Sequence, residues 1–115
     1  MKRKCIVLVR TPYWWHDGEN DLFNQTEQCL AYARKENLRV MRIFRRSPWK
    51  SGNKDPFSSA YEYAKSRSDI EFLVTTHGKN LDKRISGFVH RVSELRKIGL
   101  KISFLNVINK TIVEE

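Results

Sequence analysis

The chain has 115 residues, of which 40% are hydrophobic, and its 22 Lys and Arg against 13 Asp and Glu give a net charge of +9. This size fits one domain with a sizeable core, and the absence of any apolar run near ~20 residues excludes a membrane-spanning helix. The basic first residues lead into too short an apolar stretch for a secretory signal, so we expect a cytoplasmic protein. The net charge indicates an anionic partner, with nucleic acid ahead of an anionic membrane surface, and a domain that is simply basic is the alternative.

The first half of the sequence alternates strand and helix patterns. The run over residues 5–9 is continuously apolar and has strand length, which is typical of a strand buried on both faces. Apolar residues then recur at helical spacing over 22–33. Partial alternation over 39–44 predicts a second strand, and the turn-forming residues over 45–55 predict a loop.

The second half continues the alternation. Asp55 is a good N-cap and Pro56 is tolerated at a first helical position, so a helix is predicted to begin there. Residues 70–75 predict a third strand, the apolar positions over 81–98 predict a long helix that stops at Gly99, and residues 100–107 predict a fourth strand.

This order predicts an α/β fold: a single three-layer domain over residues 1–115, with a mainly parallel four-stranded sheet and helices on both faces. In such sheets a site forms outside the carboxyl ends of the strands. Here those ends lead into residues 10–18, 45–54 and 76–80, and Arg10 and Lys79 are predicted to converge there.

Basic residues are concentrated between Arg34 and Lys54, a stretch that contains eight of the 22 Lys and Arg and a single acidic residue, Glu36. Lys and Arg contact phosphates, and an aromatic ring among them can stack on a base or sugar. A solvated basic face with its tryptophan folded onto the domain is the alternative. The residues predicted to bind nucleic acid, including the two at the strand ends, are Arg10, Arg45, Arg46, Trp49, Lys50, Lys54 and Lys79.

Other motifs are weaker. The aromatic residues 13–15 after the first strand predict either a contact surface or burial under the polar loop. No Gly-rich phosphate-binding turn follows that strand, and His16, His77 and His90 lack metal-ligand spacing, so no cofactor or metal is expected. Cys5 and Cys29 are expected to be buried free thiols in a reducing compartment.

The layout over residues 4–106 resembles the N-terminal catalytic domain of the serine recombinases, the resolvase and invertase family. The residues that carry the likeness are Val7-Leu8-Val9-Arg10, Gln25 to Leu30 with Tyr32-Ala33, Ser51-Gly52 with Asp55-Pro56-Phe57, Phe72-Leu73-Val74 with Gly78-Lys79-Asn80, and Leu95 to Phe104. The resemblance implies a resolvase-like fold and a context of DNA recombination.

The resemblance also implies the family's chemistry, in which a serine nucleophile attacks DNA while arginines neutralise the scissile phosphate. Arg10 falls on the family's first arginine. The nucleophilic serine falls on Pro12, which has no hydroxyl, and the neighbouring Thr11 points the other way on an extended segment. The candidates for residual catalysis are therefore Arg10, Thr11 and Lys79.

Further family positions differ. The aspartate and arginine that follow the third strand fall on Gly78 and Lys79, and the next arginine falls on Asp82 unless Lys83 or Arg84 replaces it. The arginine before proline falls on Asp55. Lysine does not reproduce the bidentate phosphate grip of arginine, so this pattern predicts a site that has lost cleavage.

Three functions follow. The first is a catalytically inactive resolvase-like domain that binds DNA or a protein, such as a recombinase or a second copy of itself. The second is an active recombinase or nuclease with a rearranged site that uses Thr11, Ser47 or Ser51 with Arg10 and Lys79. The third is a protein-interaction module that uses the aromatic residues 13–15. The family's long dimer helix and C-terminal DNA-binding domain are not expected in this sequence.

Overall fold

The computed structural model describes residues 2–10, 18–46, 56–82 and 84–105, with backbone alone at 18–21 and 46. Strands and helices alternate along it, as the sequence predicts. The elements are β1 (Arg3–Arg10), α1 (Gly18–Lys35), β2 (Leu38–Arg46), α2 (Pro56–Lys65), β3 (Ile70–Thr75), a 3₁₀ turn (Gly78–Asn80), α3 (Ile85–Lys97) and β4 (Lys101–Phe104).

The four strands form one parallel sheet in the order β2-β1-β3-β4. Strand β1 lies between β2 and β3, and its residues Cys5 to Val9 are all fully buried. This position suits a strand with apolar side chains on both faces, because the helices then cover both. The predicted fold class, a parallel four-stranded sheet with helices on both faces, is confirmed.

Each face of the sheet has its own core. On one face α1 packs Leu22, Cys29 and Ala33 against alternate residues of β1. On the other face α2 and α3 pack against the intervening residues of β1, including Ile6 and Leu8. Both cysteines are buried free thiols, and burial raises the pKa of the Cys5 thiol to about 11. Across the described residues, no helix is long and apolar enough to cross a membrane.

The end of β2 and the start of α3 differ from their predicted positions. Strand β2 runs to Arg46, so Arg45 and Arg46 belong to the strand rather than to the loop predicted over 45–55, because parallel pairing with the end of β1 extends it. The third helix begins at Ile85 rather than at 81, because a 3₁₀ turn follows β3 and the Asp82 carboxylate accepts a hydrogen bond from the Arg84 backbone N–H.

The end of α3 matches its prediction. Gly99 has a φ of 89° and its N–H donates to the Arg96 carbonyl, while the Leu100 N–H donates to the Leu95 carbonyl. These two bonds form a Schellman motif, which favours glycine at that position. Strand β4 then spans Lys101–Phe104, shorter than predicted, and the prediction for 106–107 lies outside the described residues.

Candidate functional site at the carboxyl edge of the sheet

The carboxyl ends of β1 and β2 bring arginines together. Val9 pairs with Arg45 and Arg10 with Arg46 in the parallel register, so the last two positions of β2 lie directly beside those of β1. Neighbouring strands are ~4.8 Å apart, which places the backbones of Arg10 and Arg46 within one strand spacing. The backbones of Arg10, Arg45 and Arg46 therefore share the carboxyl edge of the sheet.

Lys79 joins this edge from the other side of β1. It lies in the 3₁₀ turn that follows β3, next to β1 in the sheet, and its side chain is exposed. Arg10 is half-buried and Arg45 is exposed. Among the residues that the structure describes, Arg10, Arg45 and Lys79 have no acidic partner. Their charges therefore remain available to an anion.

A buried polar network lies beneath these cations. Gln25 of α1 donates through Nε2 to the Arg10 carbonyl at 2.9 Å, and its Oε1 accepts from the Thr76 hydroxyl at 2.8 Å and from Asn80 Nδ2 at 3.0 Å. Asn80 Nδ2 also lies 2.9 Å from Thr75 Oγ1 and 3.1 Å from Thr76 Oγ1. All four side chains are buried.

The donors and acceptors of the network fix one another. Because Gln25 Nε2 must donate to a carbonyl, Gln25 Oε1 is the acceptor for both Thr76 and Asn80. The network thereby joins the end of β1, the first half of α1 and the turn that carries Lys79. It positions Arg10 and Lys79 relative to each other, and its hydroxyls are too deeply buried to act on a large substrate.

Gln25 and Asn80 were not predicted as members of this site. The partners are 51 and 55 residues apart in sequence, so no local pattern joins them. One signal was present: Gln25 is a polar residue within the apolar stripe of α1, and the buried strand β3 ends in Thr75 with Thr76 directly after it. Buried polar groups must find hydrogen-bond partners, and these face one another.

Asp82 has a structural role instead of a place among the cations. Its carboxylate accepts from the Arg84 N–H at 2.9 Å and lies 3.6 Å from Arg91 Nε. The backbone hydrogen bond from Arg84 is the main cause that lowers the pKa of Asp82, and desolvation opposes it. Arg91 in turn donates to the Leu81 carbonyl and lies 4.5 Å above the Phe57 ring. The cluster ties the start of α3 to α2.

Two glycines permit close packing around the turn and the helix. A Cβ at Gly78 would lie 2.9 Å from Phe88 Cε1, and a Cβ at Gly87 would lie 2.0 Å from Asp82 Oδ2. The resemblance places an aspartate at position 78, and no side chain fits there unless the Phe88 ring moves. The turn beside Lys79 is therefore shaped for glycine.

Several predicted residues lie outside the described residues. These are Thr11, Pro12, the aromatic residues 13–15, Ser47, Trp49, Lys50, Ser51, Lys54, Asp55 and Lys83. His77 is exposed at the end of β3 without a side-chain capping bond, and His90 is exposed on α3. Within the described ranges no three His, Cys, Asp or Glu residues are grouped to hold a metal.

The strand order, the single parallel sheet and the helices on both faces define a resolvase-like α/β domain. The structure is similar to a resolvase family site-specific recombinase from Streptococcus pneumoniae, with a TM-score of 0.82, 12% identity, and coverage of 98% of this chain and 82% of that one. It is also similar to the C-terminal catalytic domain of ISC1926 TnpA, an IS607-like serine recombinase, with a TM-score of 0.72, 17% identity, and coverage of 97% and 75%.

A third structure, the C-terminal catalytic domain of the IS607-like serine recombinase IS1535 TnpA, has a TM-score of 0.63 and 21% identity, with coverage of 87% of this chain and 69% of that one. The sequence matches no protein-family model and no curated protein. At these identities the comparisons show the fold: the chain has the fold of a serine recombinase catalytic domain.

Proposed function

We propose that this resolvase-like domain binds DNA in a recombination context through the carboxyl edge of its sheet, without cutting it by the serine mechanism. The observation that carries the proposal is that Arg10, Arg45, Arg46 and Lys79 all lie at the carboxyl edge of the sheet, where the described side chains of Arg10, Arg45 and Lys79 contact no acid. Arginine and lysine are the residues that contact phosphates.

The loss of cleavage rests on the residues at two family positions. The nucleophilic serine corresponds to Pro12, which cannot form a phosphoserine link. The aspartate that follows β3 corresponds to Gly78, where Phe88 occupies the space that a side chain needs. The hydroxyls of Thr75 and Thr76 are fully buried in the polar network and do not replace the serine.

The proposed partner is duplex DNA, and a recombinase or a second copy of the chain is the protein partner that this fold supports. The compartment proposed is the cytoplasm, where the free thiols Cys5 and Cys29 stay reduced. The part of the DNA that the strand-end cations contact is its phosphate backbone.

DNA binding is tested by fluorescence anisotropy with a 30-bp duplex at several salt concentrations. Wild type should bind, with a slope of log K against log salt near −0.9 for each phosphate neutralised. The Arg10→Gln/Lys79→Gln variant should reduce the magnitude of that slope by about 1.8. A control with the same charge change, Arg34→Gln/Arg96→Gln, alters exposed arginines away from this edge and should retain the wild-type slope.

Cleavage is tested by incubating the chain with supercoiled and linear DNA and looking for nicks and protein–DNA adducts on denaturing gels. The proposal expects neither. Covalent adducts that disappear in Thr11→Ala would show that a neighbouring hydroxyl replaces the serine, and would overturn the inactive assignment while leaving DNA binding intact.

A further inference from the structure

A second group of cations lies along the edge strand β2, away from the strand-end site. The pairing of β2 with β1 passes from Val40 to Arg42 across two consecutive residues of β1, so Met41 is an extra residue in a β-bulge. Arg39, which pairs with Lys4, and Arg42 therefore project from the same face of the sheet. In a regular strand, residues three apart would point to opposite faces.

Tyr63, near the end of α2, places an aromatic ring beside Arg42. The Arg42 guanidinium lies 5.5 Å from the centre of the Tyr63 ring and 5.7 Å from that of Phe44. Arg67 lies 5.4 Å from the Tyr63 ring and donates to its hydroxyl at 3.0 Å. Stacking on rings restrains a guanidinium while its in-plane N–H groups stay free to meet an anion.

The charge of this surface is only partly balanced. Asp69 accepts from Lys4 Nζ at 2.7 Å and lies 3.3 Å from Arg67 Nε, and hydrogen bonds from Lys4 and then Arg67 hold its pKa well below the usual range. Arg39 and Arg42 are exposed and have no acidic partner among the described residues. Of the four cations, Lys4 and Arg67 share the Asp69 carboxylate, whereas Arg39 and Arg42 contact none that the structure describes.

We propose that this surface, formed by Lys4, Arg39, Arg42, Tyr63 and Arg67, binds the phosphate backbone of duplex DNA. The inference rests on the proposed function, because it adds a second contact to the same ligand. Arg39 and Arg42 are two register steps apart, or about 6.6 Å at ~3.3 Å per residue. Phosphates on one DNA strand recur every ~3.4 Å of helix axis, so the pair spans about two steps of one strand and both arginines reach the same phosphate backbone.

The test is the salt dependence of binding to a 30-bp duplex by Arg39→Gln/Arg42→Gln. Loss of two phosphate contacts should reduce the magnitude of the slope by about 1.8, so the loss of affinity between 50 and 200 mM salt becomes about twelvefold smaller than in wild type. Arg34→Gln/Arg96→Gln, with the same net charge, should keep the wild-type slope. Thermal melting checks the fold of each variant, and Arg39→Glu, at an exposed position, provides a second perturbation.

The outcomes separate the two proposals. A wild-type slope in Arg39→Gln/Arg42→Gln and Arg39→Glu, together with a reduced slope in Arg10→Gln/Lys79→Gln, overturns this inference and leaves the proposed function standing. Failure of wild type to bind duplex DNA overturns both. If sedimentation shows that Arg39→Glu disrupts self-association while the DNA slope stays unchanged, the surface is a protein interface and the inference is wrong.

Discussion

Replacing Asn80 with alanine should be among the most damaging single changes in this domain. The amide Nδ2 lies within 3.1 Å of three buried oxygens, on Gln25, Thr75 and Thr76. Its two hydrogens satisfy two of them at a time, and both bonds disappear in Asn80→Ala. Each buried polar group left without a partner costs about 1–3 kcal/mol, so we expect a loss of about 3 kcal/mol in the free energy of unfolding.

The measurement is urea denaturation at neutral pH. In a parallel thermal melt of a domain of this size, a loss of 1 kcal/mol in the free energy of unfolding lowers the melting temperature by roughly 4–8 °C. The melting temperature of Asn80→Ala should therefore fall by roughly 12–24 °C. Asn24→Ala is the matched control, because Asn24 is exposed on α1, and it should change stability by less than about 0.5 kcal/mol. A loss under about 1 kcal/mol in Asn80→Ala would refute the reasoning, since it would mean that the network is not needed to hold the strand ends.

Three further changes probe other contacts. Gly87→Ala forces the Asp82 carboxylate away from its 2.9 Å hydrogen bond and should cost about 1–2 kcal/mol in urea melts, with no added loss in an Asp82→Ala background. Gly99→Ala, at a φ of 89°, should cost about 1 kcal/mol by the same assay, and an unchanged midpoint would count against the left-handed cap. Contact with Lys4 lowers the folded-state pKa of Asp69. The stabilisation from this contact is therefore present above the unfolded-state pKa near 4 and is lost as the pH falls from there toward the folded-state pKa. The stability of Asp69→Asn should match that of wild type more closely at pH 2 than at pH 7.

The architecture could be predicted because it depends on local pattern. A continuous apolar run such as 5–9 specifies a strand buried on both faces, and Gly99 specifies the end of α3 through a conformation that other residues avoid. Both signals lie within a few residues of the feature they determine, so one sequence contains them completely.

The site was less predictable because it depends on contacts between distant segments. Arg45 and Arg46 look like loop residues until pairing with β1 extends the strand. Asp82 stands at a position where the resemblance implies an arginine, yet the structure uses it to start α3 beside Gly87. Gln25 is a polar residue in an apolar stripe, and its partners become visible only when β1 and β3 are side by side.

The position of β1 within the sheet has a consequence for the order of events during synthesis. Val7 pairs with Val74, so this apolar strand is made long before its β3 neighbour exists. At ~5–20 residues per second, the intervening chain takes roughly 3–13 s to translate. Segments α1 and β2 are made earlier and cover one face and one edge of β1, but the edge that pairs with β3 and the face under α2 and α3 stay uncovered until β3 leaves the ribosome. We therefore expect variants that slow β3 pairing to raise aggregation more than they lower stability.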